Sequence, residues 1–240
     1  MTINKIRVFA GAGLSAESGL ATFRDEGGLW TKYDINEVCF YPSFIANKED
    51  LKFRQKIFDF YNEVKLACLQ AKPNAAHYEL ALWQNNLGIE TVIFTANVDN
   101  LLEQAGCKNV VHVHGDLSSM HCTSCTYSWE CDVFSEQRCP KCNSRLTKPN
   151  VVFFHENAPL YAKLLTEFHG KRRHPNDLLV YVGSSQSVIP PSKLMDTRRG
   201  KEGVKVLVNL ANGPEDSLFD YCYYEKASTG LEKVRNLHIK

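Results

Sequence analysis

Ile6-Arg7-Val8-Phe9-Ala10-Gly11-Ala12-Gly13-Leu14-Ser15-Ala16 is the stretch that decides the fold. A mostly apolar run passes directly into a glycine-rich turn, as expected where a buried parallel strand ends at a ligand-facing loop. Three further runs share this form. Thr91–Thr95 leads into Ala96-Asn97-Val98-Asp99, Leu178–Val182 into Gly183-Ser184-Ser185, and Val204–Val208 into Asn209. Strands apolar on both faces need helices above and below them, and open sheets of that kind bind ligands beyond their carboxyl ends. The expected fold class is α/β: a Rossmann-like doubly wound parallel sheet with an inserted helical module and a small zinc-ribbon module.

The insertions follow from what lies between the strands. Residues 31–87 read as helical, with Asn74 after Pro73 as an N-cap for the run starting at Ala75. Residues 118–149 contain few aliphatic side chains and cannot bury enough apolar surface to fold alone. The expected division is therefore residues 1–30, 88–117 and 150–240 as the α/β domain, 31–87 as the helical module and 118–149 as the metal-binding module.

Cys122-x-x-Cys125 and Cys139-x-x-Cys142 stand thirteen residues apart, residues 126–138. Each C-x-x-C turn brings two sulfurs to one side, and a short hairpin joins the pairs into a four-sulfur zinc site. With four protein ligands no coordination position is left for water or substrate, so the metal is structural.

Composition excludes other classes. The 240 residues are 44% hydrophobic and 23% charged, which rules out disorder, collagen and coiled coil as the main architecture. Lys+Arg total 28 and Asp+Glu 27, so the net charge of +1 creates no global field for nucleic acid or anionic lipid. There is no apolar run of about 18 residues for a membrane span, and the start lacks the apolar region of a signal peptide. Nine cysteines, an odd number, argue for a reducing compartment rather than a disulfide framework. A cytoplasmic protein is expected, with no membrane and no nucleic-acid partner.

Two weaker patterns carry chemistry. Gly11-Ala12-Gly13-Leu14-Ser15-Ala16 is a G-x-G-x-x-A turn, whose glycines let backbone N–H groups approach a pyrophosphate. A dehydrogenase would continue to a second strand ending in an acidic residue about 20 positions on. Here the chain instead reads Thr22-Phe23-Arg24-Asp25-Glu26-Gly27-Gly28-Leu29-Trp30, a polar and aromatic loop suited to covering a cofactor, which disfavours hydride transfer. The second pattern is Val110-Val111-His112-Val113-His114-Gly115-Asp116. In an extended strand His112 and His114 would share one face, with His112 a satisfied, partly buried side chain. His114, before a glycine at the strand's end, is placed to act as a general base.

Taken together, these motifs resemble the sirtuin family. The resemblance rests on Gly11–Gly19, Thr22-Phe23-Arg24, Gly28-Leu29-Trp30, Pro73–His77, Asn97-Val98-Asp99, His114-Gly115 and the four cysteines. It continues through Val151–Phe154, Gly183-Ser184-Ser185, Val208-Asn209-Leu210 and Phe219-Asp220, in the family's order to about Ala227. The Gly-Leu-Trp loop and short zinc module most resemble the bacterial sub-group that acts on acetyl and acidic acyl lysines.

The resemblance implies an NAD-dependent protein-lysine deacylase that releases nicotinamide and O-acyl-ADP-ribose, with NAD as co-substrate and one structural zinc. It implies a pyrophosphate site at Gly11, Ala12, Gly13 and Ser15, with Glu17 nearby. Phe23 and Arg24 would close over the nicotinamide ribose, with Thr22 and Trp30 also at the cofactor. Asn97 and Asp99 would hold the carboxamide, and Ser184, Ser185, Asn209 and Ala227 would line the adenosine end, with Ala96, Val98, Gly183 and Leu210 also at the cofactor. His114 is implied as the catalytic base. An acyl-lysine peptide would pair as an extended strand with Val152, Phe153 and Phe154, its acyl group meeting Tyr61 and Val64. In acidic-acyl members an Arg occupies the place of Val64, so acetyl is favoured here.

Three positions depart from the family: Ala96 stands where Gln is usual, Leu102 where His is usual, and His155 where the substrate strand usually has Gly. Two other readings stay open. One is mono-ADP-ribosyl transfer or NAD hydrolysis at the same cofactor site. The other is a non-catalytic zinc-ribbon binding module.

Overall fold

The computed structural model describes residues 3–20, 32–169, 174–195 and 203–239. Its strands are β1 (Lys5–Ala10), β2 (Glu90–Thr95), β3 (Val111–His112), β4 (Gly115–Cys122), β5 (Ser128–Glu130), β6 (Thr147–Val151), β7 (Leu178–Val182), β8 (Val204–Asn209) and β9 (Tyr221–Tyr224). Its helices are α1 (Gly13–Ala16), α2 (Ile35–Val38), α3 (Tyr41–Ala46), α4 (Leu51–Gln70), α5 (Ala75–Asn86), α6 (Leu101–Gln104), α7 (Tyr161–His169), α8 (Pro191–Leu194) and α9 (Ala227–His238).

The chain divides into two compact units. The first comprises Met1–Thr22, Ala71–Val113 and Pro159–Lys240, and the second Phe23–Gln70 and His114–Ala158. The first unit holds a six-stranded sheet in the order β3-β2-β1-β7-β8-β9, every pairing parallel. Strand order reverses between β1 and β7, the switch point at which a doubly wound sheet opens a ligand crevice. All five residues of β7 are buried, and β1 is buried from Ile6 to Ala10. Each fully buried aliphatic side chain there contributes about 1.5–3 kcal/mol. Arg7 is buried within β1 because its guanidinium donates to Asp177 at 2.5 Å and to Glu167 at 3.0 Å.

α5 belongs with this sheet rather than with a separate helical module. Its Ala76, Leu80, Ala81 and Trp83 pack in one cluster with Ile6, Val8 and Ile93. Asn74 caps it in a full capping box, accepting from the Ala76 N–H while the Asn74 N–H donates to His77 Nδ1.

The second unit joins α2, α3 and α4 to the cysteine-bearing segment, whose strands form an antiparallel sheet in the order β5-β4-β6. α4 makes the connection with polar side chains. Arg54, 1% exposed, donates to Glu136 at 2.7 Å and to the Thr147 carbonyl at 3.1 Å. Asn62 exchanges two hydrogen bonds with the Phe134 backbone, and Lys65 donates to the Cys131 carbonyl at 2.7 Å. The metal-binding segment, short of aliphatics, is therefore anchored to a 20-residue helix.

Candidate active site and zinc centre

The turns after β1, β7 and β8 are stitched together at the sheet's carboxyl end. Gly11 N–H donates to the Val182 carbonyl at 2.9 Å, Gly13 to Gly183 at 2.7 Å, and Gly183 to Val208 at 2.9 Å. The Asn209 amide donates to the Ser184 carbonyl at 3.1 Å. A Cβ on Gly11 would lie 2.7 Å from the Gly183 oxygen, and one on Gly13 would lie 2.7 Å from the Gly183 Cα. The N–H groups of Gly11, Gly13, Leu14 and Ser15 are all held by chain carbonyls, so the glycines permit two turns to touch rather than offering their own donors. Beside the stitched turns lies a cavity of about 280 Å³, lined among others by Gly13, Glu17, Gly183, Asn209, Leu210 and Ala227. Six residues that the sequence assigned to the cofactor thus meet at one concave surface.

At the ends of β1 and β2 lies a buried polar cluster. Ser15 Oγ donates to Asp99 at 2.9 Å and accepts from the Asn97 amide at 3.1 Å. His77, fully buried, stands 3.4 Å from the same oxygen through Nε2. Because His77 Nδ1 accepts from Asn74, the proton of the neutral ring is on Nε2 and points at Ser15. Burial pushes the His77 pKa down, which keeps the ring neutral despite Asp99 nearby. Asn97 and Asp99 are held in turn by Thr95 Oγ1, which accepts from Asn97 N, and by Leu101 N–H, which donates to Asp99. One amide, one hydroxyl and one carboxylate, all buried, form a donor and acceptor set matched to a carboxamide.

His77 and Asn74 were not among the expected site residues. Asn74 also donates to the Leu14 carbonyl at 2.8 Å, which ties the helix cap to the glycine turn. The P-N-A-A-H spelling was the available signal. Gln186 was likewise missed: it is buried at φ +64° and bonds Asp216 and the Glu215 N–H, holding the loop after β8. Leu102 packs in the apolar core of the first unit. Thr22, Phe23, Arg24 and Trp30 lie outside the described residues.

The expected strand from Val110 to Asp116 is interrupted. β3 ends at His112, a turn covers Val113 and His114, and β4 begins at Gly115 with φ +79°. His112 and His114 therefore do not share one strand face. The reason is the glycine: its Cβ would fall 1.9 Å from the Asn150 carbonyl, so only glycine permits the turn into β4. His112 is satisfied, with Nδ1 2.8 Å from the Asn97 carbonyl and Nε2 2.9 Å from Glu103. His114 opens the second unit, and its carbonyl accepts from Val152 N–H at 2.8 Å.

In the second unit Val152, Phe153 and Phe154 lead into a tight turn. Phe154 spends both backbone groups inward, donating to the Cys39 carbonyl at 2.7 Å and accepting from Tyr41 N–H at 3.0 Å. His155 adopts φ +63°, a conformation glycine takes freely, and its ring meets Phe40 edge-on at 4.9 Å. Tyr61 is buried, stacked on Phe153 at 5.6 Å, with its hydroxyl 3.3 Å from Cys39 Sγ. Val64 is half-buried one turn further along α4. Lys65 points at Cys131 and lies over the Phe134 ring at 5.0 Å.

The four cysteines converge. All four sulfurs lie within 4.8 Å of one another, with Cys122–Cys142 and Cys125–Cys139 both at 3.6 Å. A tetrahedral zinc with Zn–S of about 2.3 Å needs sulfurs about 3.8 Å apart, so the set fits that ion. The two knuckles are built alike. Cys122 N–H donates to Tyr127 O and Thr126 N–H to Cys122 O; Cys139 N–H donates to Ser144 O and Asn143 N–H to Cys139 O. Thr126 and Asn143, at φ +59° and +61°, close the matching turns.

A parallel sheet of this order, with a buried polar cluster at its carboxyl end and a four-cysteine ribbon, is the architecture of a dinucleotide-dependent enzyme with a structural metal. The Sir2 family profile matches residues 11–190, and the chain belongs to that family. An NAD-dependent protein deacylase of Campylobacter jejuni is 40% identical over 236 residues, covering 97% of this chain and 94% of its own. A Sir2 homologue solved as an NAD complex superposes with a TM-score of 0.80 at 30% identity, over 98% of this chain and 89% of that one. A Sir2 protein solved with a deacetylated p53 peptide and 3′-O-acetyl ADP-ribose gives 0.75 at 29% identity, over 99% and 95%.

Proposed function

We propose that the protein is an NAD-dependent protein-lysine deacylase that transfers the acyl group to ADP-ribose and releases nicotinamide. The observation that carries this reading is the Ser15–Asn97–Asp99 cluster beside the stitched Gly11 and Gly183 turns, within one unit of a Sir2-family chain. Asn97 and Asp99 would hold the carboxamide, whose amide offers a donor and an acceptor to an amide and a carboxylate. Gly183, Asn209, Leu210 and Ala227, which line the 280 Å³ cavity, would receive the adenosine half together with Ser184 and Ser185. When bound, NAD supplies an electrophilic ribose carbon with nicotinamide as its leaving group.

His114 would act as the general base, drawing the proton from a ribose hydroxyl. The acyl-lysine peptide would lie as an extended strand along Val152, Phe153 and Phe154, whose N–H groups are all bonded within the chain, so it would bond chiefly through the Val152 carbonyl. Cys122, Cys125, Cys139 and Cys142 would hold a zinc that orders the ribbon and, with all four positions filled by sulfur, would take no part in the reaction.

Acetyl is the favoured acyl group. Val64 offers no cation, and Lys65 is engaged by the Cys131 carbonyl and the Phe134 ring, so nothing on that turn of α4 answers an acyl carboxylate. An odd count of nine cysteines, four of them grouped as a metal-ligand set, supports a reducing, cytoplasmic setting. Among the described residues no helix is long and apolar enough to cross a membrane.

The deciding experiment is mass spectrometry of an acetyl-lysine peptide incubated with protein and NAD. Nicotinamide and O-acetyl-ADP-ribose should appear together, in equal amounts. Nicotinamide release without peptide would favour NAD hydrolysis or ADP-ribosyl transfer instead.

A further inference from the structure

We propose that Lys148 and Glu156 are positioning residues for the acyl-peptide: a buried ion pair that fixes the course of the segment on which the substrate strand lies. The inference rests on the deacylase reading above and extends it to side chains below the peptide.

Lys148 sits in β6 with its side chain 2% exposed. Its ammonium is 3.0 Å from Glu156 Oε2, donates to the Val151 carbonyl at 2.5 Å and lies 4.4 Å over the Phe153 ring. The same Glu156 oxygen accepts from Phe153 N–H at 2.8 Å, while Glu156 N–H donates to the Phe153 carbonyl at 3.1 Å. A closed ring of contacts therefore runs from the sheet through Lys148 to Glu156 and back to Phe153. It encloses Val151–Glu156, including the left-handed turn at His155.

Burial lowers the Lys148 pKa, and the Glu156 carboxylate opposes that shift. A buried ion pair stabilises a fold no better than apolar side chains of similar volume. What it adds is direction, since each member aims at a particular backbone atom. Phe153 N–H and carbonyl are spent on Glu156, and Val152 N–H on the His114 carbonyl, so the pair sets the path of the backbone that carries the Val152 carbonyl, the acceptor through which an added strand would bond. Neither side chain needs to touch the substrate for this role.

Three variants test it: Lys148→Met, Glu156→Gln and Lys148→Arg, each assayed for KM of acetyl-peptide at saturating NAD and KM of NAD at saturating peptide. Lys148→Met and Glu156→Gln should raise the peptide KM roughly tenfold, the loss of one charged hydrogen bond, with kcat and the NAD KM changed less than about twofold. Lys148→Arg should recover most of the peptide affinity. If Lys148→Met fails to melt cooperatively, Glu156→Gln decides, since it keeps the volume and an acceptor for Phe153 N–H. A peptide KM that stays at the wild-type value, or an NAD KM rising in parallel, overturns the inference while leaving the deacylase reading standing. A wild-type protein that consumes no acetyl-peptide overturns both.

Discussion

The two units are held together by different means. The sheet of the first unit rests on continuous apolar burial: every residue of β7 is inaccessible and its neighbours interlock around it. The second unit depends on directed contacts: four sulfurs within 4.8 Å, the Arg54–Glu136 pair and the Lys148–Glu156 pair. Apolar packing tolerates exchange of one aliphatic for another, whereas a thiolate or a buried charge has no such substitute. The first unit can therefore hold a cofactor site on a rigid frame, while the second depends on metal and a few polar groups.

Removing the metal breaks the contrast most severely. Replacement of Cys122 or Cys142 by Ser should abolish zinc binding and unfold the ribbon, because structural zinc contributes about 10–16 kcal/mol to folding such sites. The expected record is loss of bound zinc by atomic absorption, loss of the second unit's signal in hydrogen exchange, and protection retained in β1, β7 and β8. A zinc-free protein with an ordered ribbon and full activity would contradict the division of labour.

His114→Ala should leave both units folded yet lower deacylation by roughly 10²–10⁴, the usual worth of a general base. Turnover near wild type at an unchanged melting temperature would remove His114 from the chemistry.

Val64→Arg addresses selectivity within α4. It should raise kcat/KM for succinyl-peptide relative to acetyl-peptide by roughly tenfold, since a bidentate guanidinium–carboxylate pair is among the stronger polar contacts. A wild-type preference for succinyl would show that another cation serves the acyl carboxylate.

Acidification gives the smallest effect. His77 is held neutral by burial, with its folded pKa below the ordinary value. Its contribution is complete above about pH 6.5, where the unfolded ring is also neutral, and is lost as pH falls towards the folded pKa. The slope cannot exceed about 1.4 kcal/mol per pH unit for one group. Denaturant melts between pH 7 and 5 should show this slope shrinking in His77→Gln; an identical pH dependence would mean that His77 does not contribute it.

The strands of the first unit were legible because burial on both faces leaves unbroken apolar runs. Leu178–Val182 coincides with β7, and the other three expected strands differ from β1, β2 and β8 by one residue at an end. The zinc cysteines were legible because their ligand spacing is local. The remainder depends on contacts distant along the chain. Ser15 meets His77 across 62 positions and Arg54 meets Glu136 across 82, so neither pairing leaves a periodic trace. The turn at Val113–His114 escaped notice because its cause, the Asn150 carbonyl against Gly115, lies 35 positions away. The different partners of α5 and α4 leave no local trace, because the two look alike as sequence, yet one packs on the sheet and the other reaches the ribbon with Arg54, Asn62 and Lys65.

The order of the segments bears on how the chain is made. β1 occupies the middle of its sheet, but one neighbour, β7, lies about 170 residues downstream, where Ile6 pairs with Leu178. A ribosome delivers β2 early and β7 late, so the nascent β1 waits with one edge unsatisfied and an apolar face open. The second unit, complete once Ala158 has emerged, can close around its metal during that interval. Zinc supply during synthesis then becomes a kinetic matter: a chain starved of metal would carry an open ribbon and an open sheet edge at once, the pairing most prone to aggregate.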